Sequence, residues 1–155
     1  MEDMNQDMNS FQTNQFQPQQ NAPVKQLKTN RSMIKLILLS IVTLGIYGIV
    51  TMTGMANDLN LAASKYDGKK TMHYCLLFFL IGPITFEIAT LVWYTKFCGR
   101  IGAEEQRRGL PVDINGGTFW LWGILGSLIL VGPFIFVHKM CKGMNAVNAD
   151  YNIHG

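Results

Sequence analysis

Three long stretches without formal charge constrain this chain more than any other feature in it. Leu36 to Asn57 contains no Asp, Glu, Lys or Arg, 71–95 is broken once, by Glu87, and 114–137 is uncharged throughout. A helix rises about 1.5 Å per residue, so roughly 20 such residues reach across the hydrocarbon layer of a bilayer. Each stretch is that long. Helices buried in a water-soluble globule can be apolar all round, but three of them in 155 residues leave too little polar chain to cover them. Charged residues make up 15% of the chain, against about 25% in ordinary soluble domains. Tyr74, Trp93 and Tyr94 bracket the second stretch, and Trp120 and Trp122 open the third, where amphipathic rings suit the headgroup region. These features predict an all-α integral membrane protein that crosses its membrane several times.

The first thirty residues differ in kind. They hold seven Gln and five Asn, with Phe11 and Phe16 as the aromatics. Such a segment buries too little apolar surface to offset its ordering entropy, which predicts a disordered tail over 1–30. It lacks the charged start, apolar run and small-residue cleavage site of a secretory signal. A net charge of +3, scattered along the chain, does not point to nucleic acid. Three cysteines in no CxxC spacing argue against a zinc ribbon and a closed disulfide framework. A mixed site drawn from His73, Cys75, His138 and Cys141 would need four ligands to converge without a spacing signal, so neither metal nor cofactor is expected.

The rest of the chain repeats at a spacing of 42 and then 43 positions. Met55, Phe97 and Met140 correspond, as do Leu59, Ile101 and Met144, then Ala62, Glu104 and Val147, then Tyr66, Arg108 and Tyr151. Ala56, Cys98 and Cys141 match as small residues, and Asp67, Gly109 and Asn152 as turn formers. Steps of four, three and four put each set on one helical face. The predicted architecture is three units, 31–70, 71–112 and 113–155, each a transmembrane helix, kinked or re-entrant, followed by an amphipathic helix. The stripe through Met140, Met144, Val147 and Tyr151 is expected to lie on the bilayer surface. In the middle unit Arg100, Glu104 and Arg108 are spaced for mutual support on an exposed face.

Residues 39–47 read LSIVTLGIY and are followed by Asn57-Asp58-Leu59-Asn60. This pattern resembles the bacterial domain of unknown function 4234, in which an apolar segment ending in Thr-x-Gly-Ile-Tyr, often with a Trp, precedes a polar helix. The resemblance extends from Arg31 to about Tyr151. In the second copy Glu87 stands in the register of Gly45, while Trp93 lies where the family's Trp would; the third copy has Gly132-Pro133 near the motif position. The resemblance implies a small multi-pass protein of the bacterial cell membrane and supplies no mechanism.

Punctuation inside the apolar stretches marks the candidate functional or packing positions: Gly45, Tyr47, Gly82, Pro83, Glu87, Trp93, Gly132 and Pro133. A Gly-Pro pair kinks or breaks a helix. One reading keeps a single crossing per unit, which alternates the amphipathic helices between the two sides. The other folds each stretch into a hairpin, which puts all three on one side. Cationic flanks number eight against five for an inward N-terminus, and single crossings are preferred because backbone at a hairpin tip is costly in lipid. Glu87 is the one ionisable group deep in an apolar stretch, where it would serve as a proton or cation relay, hydrogen-bond between helices, or lie near water without a role. No nucleophile elbow, phosphate loop or HExxH is present, so no enzyme is expected. The expected function is a non-enzymatic membrane interaction or scaffold module whose partners are the lipid bilayer and other membrane proteins or copies of itself. The alternative is a small oligomeric channel or transporter that uses Glu87 and broken helices.

Overall fold

The computed structural model describes residues 22–155. Most of the expected disordered tail, 1–21, lies outside the described residues. Six helical runs follow: α1 (Met33–Val42), α2 (Ile46–Asp67), α3 (74–84), α4 (Ile88–Arg107), α5 (116–129) and α6 (Gly132–His154). They pair in chain order across turns at 43–45, 85–87 and 130–131, giving three helical hairpins. Each hairpin has a short outgoing and a long returning helix. In α3 and α5 the outgoing run contains a π-helical turn, Leu77–Ile81 and Phe119–Ile124, and the residues that open them, Leu77 and Phe119, are both buried.

No helix among the described residues is long and apolar enough to cross a membrane. The expected integral membrane fold with three crossings is therefore overturned. Each charge-free stretch is broken internally by a turn, so its residues are divided between an outgoing helix and the first part of a returning one. An absence of charge measures how long a segment avoids water and does not measure how far one helix runs.

The returning helices α2, α4 and α6 are parallel. At their N-terminal ends Tyr94 of α4 meets Phe136 of α6 with ring centroids 6.0 Å apart. At their C-terminal ends the Arg108 Nη1 of α4 lies 2.5 Å from Asp150 of α6, and Arg107 stacks over Tyr66 of α2 at 3.5 Å. Parallel packing follows from the repeat, because equal stripes at equal heights can close on one another. Met55, Leu59, Phe97, Ile101, Met140 and Met144 are all buried in this core, and each contributes on the order of 1.5 to 3 kcal/mol by leaving water. Val147 and Tyr151 are buried as well, beside Leu27 and Ala62. The stripe expected to lie on a bilayer is thus the protein's own interior, since the other two copies cover it first.

The described end of the predicted tail is tied down. Residues 22–32 run extended along α6, whose asparagines recur on one face. Asn152 accepts from the Leu27 amide and donates to the Leu27 carbonyl, Asn148 donates to the Lys28 carbonyl, and Asn145 bonds both backbone groups of Arg31. The Val24 amide donates to the Tyr151 hydroxyl. Asn152, expected in a turn, is a helical residue that holds this strap. Side-chain amides carry one donor and one acceptor group each, which is what an extended backbone asks of its neighbour.

Candidate functional site

With α2, α4 and α6 parallel, the turns that precede them lie at one end of the molecule. Leu44, Phe86 and Leu130 stand at these tips and are 94%, 90% and 80% exposed. Ile41, Val42 and Ile46 surround the first tip, Phe79, Ile84 and Ile88 the second, and Leu128, Ile129 and Val131 the third, all exposed. The three charge-free stretches converge here, so Glu87 is the one formal charge among them.

The tip backbones share a conformation that is uncommon for such side chains. Every non-glycine residue with positive φ among the described residues is at a tip: Leu44 (51°), Phe86 (50°), Glu87 (65°) and Leu130 (60°). A left-handed conformation costs an L-residue roughly 1–2 kcal/mol, so the hairpin closes against a local penalty. Gly45 occupies the same region at φ 92°, in register with Glu87 and Leu130, which explains the glycine in the first copy of the motif.

The first two turns also satisfy their own hydrogen bonds. The Thr43 hydroxyl donates to the Leu39 carbonyl at 2.6 Å and accepts from the Tyr47 amide at 2.9 Å, joining α1 to the first turn of α2. Thr85, its equivalent in the second unit, bridges the Ile81 carbonyl and the Ala89 amide in the same way. The amides of Leu44, Gly45 and Ile46 donate to Ile41, Ser40 and Thr43, and those of Phe86, Glu87 and Ile88 to Pro83, Gly82 and Thr85. Helix ends normally leave amides without partners; here the turn amides, with those of Tyr47 and Ala89, find theirs within the hairpin. In the third tip Pro133 sits at the start of α6, where its missing donor leaves nothing to satisfy. Gly132 packs backbone to backbone on Gly126, so closely that a Cβ there would overlap the Gly126 main chain.

The sequence-predicted positions separate into two groups. Gly45, Tyr47, Gly82, Pro83, Glu87, Gly132 and Pro133 belong to the hairpins and their tips. Trp93 is buried at the base, where its indole donates to the Met72 carbonyl at 2.9 Å and its ring stacks on Phe97 at 4.7 Å. Gly132-Pro133 begins a helix and does not kink one. Glu87 lies on an exposed turn beside Gly82, outside any packed interior. Leu44, Phe86 and Leu130 escaped sequence reasoning, although the repeat register aligns Leu44 with Phe86.

The opposite end is charged and ordered. Arg100 is buried and reaches both carboxylate oxygens of Asp67, with Asn60, Thr71, Ser64 and the Lys69 carbonyl as further acceptors. Burial pulls the Asp67 carboxyl upward, but Arg100 and the Lys69 amide outweigh it and hold it below its usual value. Glu104 is buried between Arg107 and Arg108, so the expected exposed support is an interior network. Burial pushes up the Glu105 carboxyl, despite its bond from the Asp113 amide. Burial pushes the Cys98 thiol up to about 12 and the Cys141 thiol to about 11, which makes them packing groups and not nucleophiles. Burial, with Tyr74 beside it, holds the Tyr94 phenol well above its ordinary value. His73, Cys75 and His138 are exposed while Cys141 is buried, and no group of three metal-ligating side chains gathers among the described residues.

A helical protein with an apolar, self-bonded end and a charged, packed end is the class that this geometry defines. Residues 31–103 match the model of the family described as Domain of unknown function (DUF4234), the family that the motif through Thr43, Gly45 and Tyr47 resembles. The match covers the first hairpin and nearly all of the second; the third lies beyond it. No curated protein and no solved structure matches the chain.

Proposed function

We propose that this protein is a non-enzymatic module that attaches to a lipid bilayer by seating its three hairpin tips in one leaflet, with the charged bundle left in water. The observation that carries this reading is the set of bulky apolar side chains on turns whose backbones bond to themselves. Lipid offers no partner to a free amide or carbonyl, so a segment that enters it must close its own hydrogen bonds. The length agrees: α1 has 10 residues, about 15 Å, close to half of a hydrocarbon layer of about 30 Å. No part of the described chain is required to cross. The charged bundle would then present its surface to other proteins, in keeping with a scaffold. The rival reading, a small channel or transporter, rests on Glu87, and its place on an exposed turn gives that reading no support.

Flotation of the full chain with phosphatidylcholine vesicles tests the proposal. The wild-type protein should float with the vesicles, and Leu44→Asp/Phe86→Asp/Leu130→Asp should stay at the bottom with an unchanged helical spectrum. Equal flotation of the two would sink the reading. Single cysteines placed at Lys69, Gln106 and Ala149 should all be labelled from the same side of sealed vesicles, whereas labels split between sides would require crossings.

A further inference from the structure

A cavity of about 690 Å³ opens between the strap and the first hairpin. We propose that it binds the phosphate-bearing headgroup of an anionic phospholipid. This rests on the reading that the tips enter a bilayer. Four of the residues that line it are cationic, Lys25, Lys28, Arg31 and Lys35, and a single carboxylate, Asp58, faces them. Asp58 is already engaged, by Arg31 at 2.5 Å and by the Asn148 amide at 3.3 Å. Lys25, Lys28 and Lys35 form no ion pair among the described residues, and all three are exposed. Tyr47 and Thr51 bring hydroxyl groups to the same wall, which suits a phosphate oxygen or a glycerol hydroxyl.

The cavity is built, not incidental. The asparagine ladder of α6 fixes the backbone of Leu27, Lys28 and Arg31, and the Arg31 guanidinium donates back to the Lys28 carbonyl at 3.0 Å. Its height is set by the hairpin. Lys35 precedes Leu44 by nine residues, a rise of about 13 Å, so a tip that reaches the middle of a layer of about 30 Å leaves the Lys35 backbone near the hydrocarbon edge, from which its long side chain reaches out to the phosphates. Lysine is suited to this role as a mobile, strongly hydrated point charge, and each lysine near an anionic membrane surface strengthens binding about fivefold.

The test compares vesicles of phosphatidylcholine alone with vesicles of phosphatidylcholine and phosphatidylglycerol, using the full chain. Wild-type protein should prefer the mixed vesicles by roughly a hundredfold. Lys25→Gln/Lys28→Gln/Lys35→Gln should bind both as wild type binds the neutral ones, and Lys65→Gln/Lys69→Gln/Lys70→Gln, which removes the same charge from residues that do not line the cavity, should keep most of the preference. Equal losses in the two triple variants would overturn the site in favour of general attraction. If wild type binds neither vesicle, the tip reading fails, and the cavity is then decided by titrating glycerol phosphate and following the Thr51 and Gly54 amides. Shifts in wild type that vanish in the Lys25, Lys28 and Lys35 variant support the site, and no shift overturns it. Saturation by inorganic phosphate without any preference for anionic vesicles would make this a free-phosphate site and overturn the lipid assignment.

Discussion

The two ends of each returning helix obey opposite rules although one helix connects them. Near the tips, apolar side chains stand in the open on strained turns whose amides bond mostly within their own hairpin. Near the C-termini, charged side chains are buried, and ion pairs both within a helix and between helices hold most of them. Arg108 joins Glu104 of its own helix and Asp150 of α6; Arg100 gathers the end of α2. Local bonding at one end and tertiary bonding at the other imply different sensitivities. The tips should tolerate changes that ruin the bundle, and the bundle's chemistry should be indifferent to what the tips touch.

The contrast is most exposed to a single charge moved from one end to the other. Met144→Asp places a carboxylate in a fully buried position, which loses the burial of a large side chain and adds desolvation, at least about 5 kcal/mol together. Leu44→Asp should leave the denaturation midpoint nearly unchanged while weakening vesicle binding. If chemical denaturation showed comparable losses for both, the tip would be a structural element and the comparison would fail.

A somewhat smaller effect is expected from Arg108→Ala. Its side chain is almost fully buried between two carboxylates, and removing one partner of a buried pair costs roughly 3–5 kcal/mol because the others remain without compensation. Urea titration reads this directly. A change below about 1 kcal/mol would mean that water reaches the network.

Glu105 supplies a pH dependence of known sign. Its folded value is raised, chiefly by burial, so the fold binds its proton more tightly than the unfolded chain does. The stabilisation it brings is present below the unfolded value, about 4.3, and is lost as pH rises through the folded value. Glu105→Gln, which cannot ionise, should remove that fall. Asp67 works in the opposite sense, being lowered: its contribution is present above the unfolded value and lost as pH falls through the folded one. Thermal melts of wild type and both amide variants across the acid range separate the two, and parallel profiles for Glu105→Gln and wild type would remove Glu105 as a source.

The smallest expected effect sharpens the account of the tips. Glu87→Gly restores the residue found in register in the first copy and relieves a left-handed backbone, which should raise stability by about 1 kcal/mol. The measurement is the same denaturant midpoint. A loss of stability would show that the Glu87 carboxylate beside Gly82 holds the turn.

Much of this organisation was legible before any coordinates. The repeat in steps of 42 and 43 placed Met55, Phe97 and Met140 in equivalent positions, and they are equivalent in the core. The motif through Thr43, Gly45 and Tyr47 pointed to the family. What misled was length. A charge-free run such as Leu36 to Asn57 is compatible with one spanning helix or with two shorter ones, and the difference lay in Thr43, Leu44 and Gly45. Threonine and leucine are ordinary within apolar helices, and their turn becomes visible only when the hydroxyl is seen bonding both helices. The Glu104 cluster misled for a related reason: i, i+4 spacing fits an exposed face and an interior network equally well, and only Asp150, which meets Arg108 from the next unit, decides between them.

By itself the sequence determined which side chains avoid water, at what period, and how often the pattern recurs, because these are properties of adjacent residues on one helix. It did not determine what each apolar face avoids water against. That choice is a competition among long-range partners, and only the tertiary structure decided it. The three stripes won one another, which buried them in a bundle, and the turns left Leu44, Phe86 and Leu130 without any protein to meet.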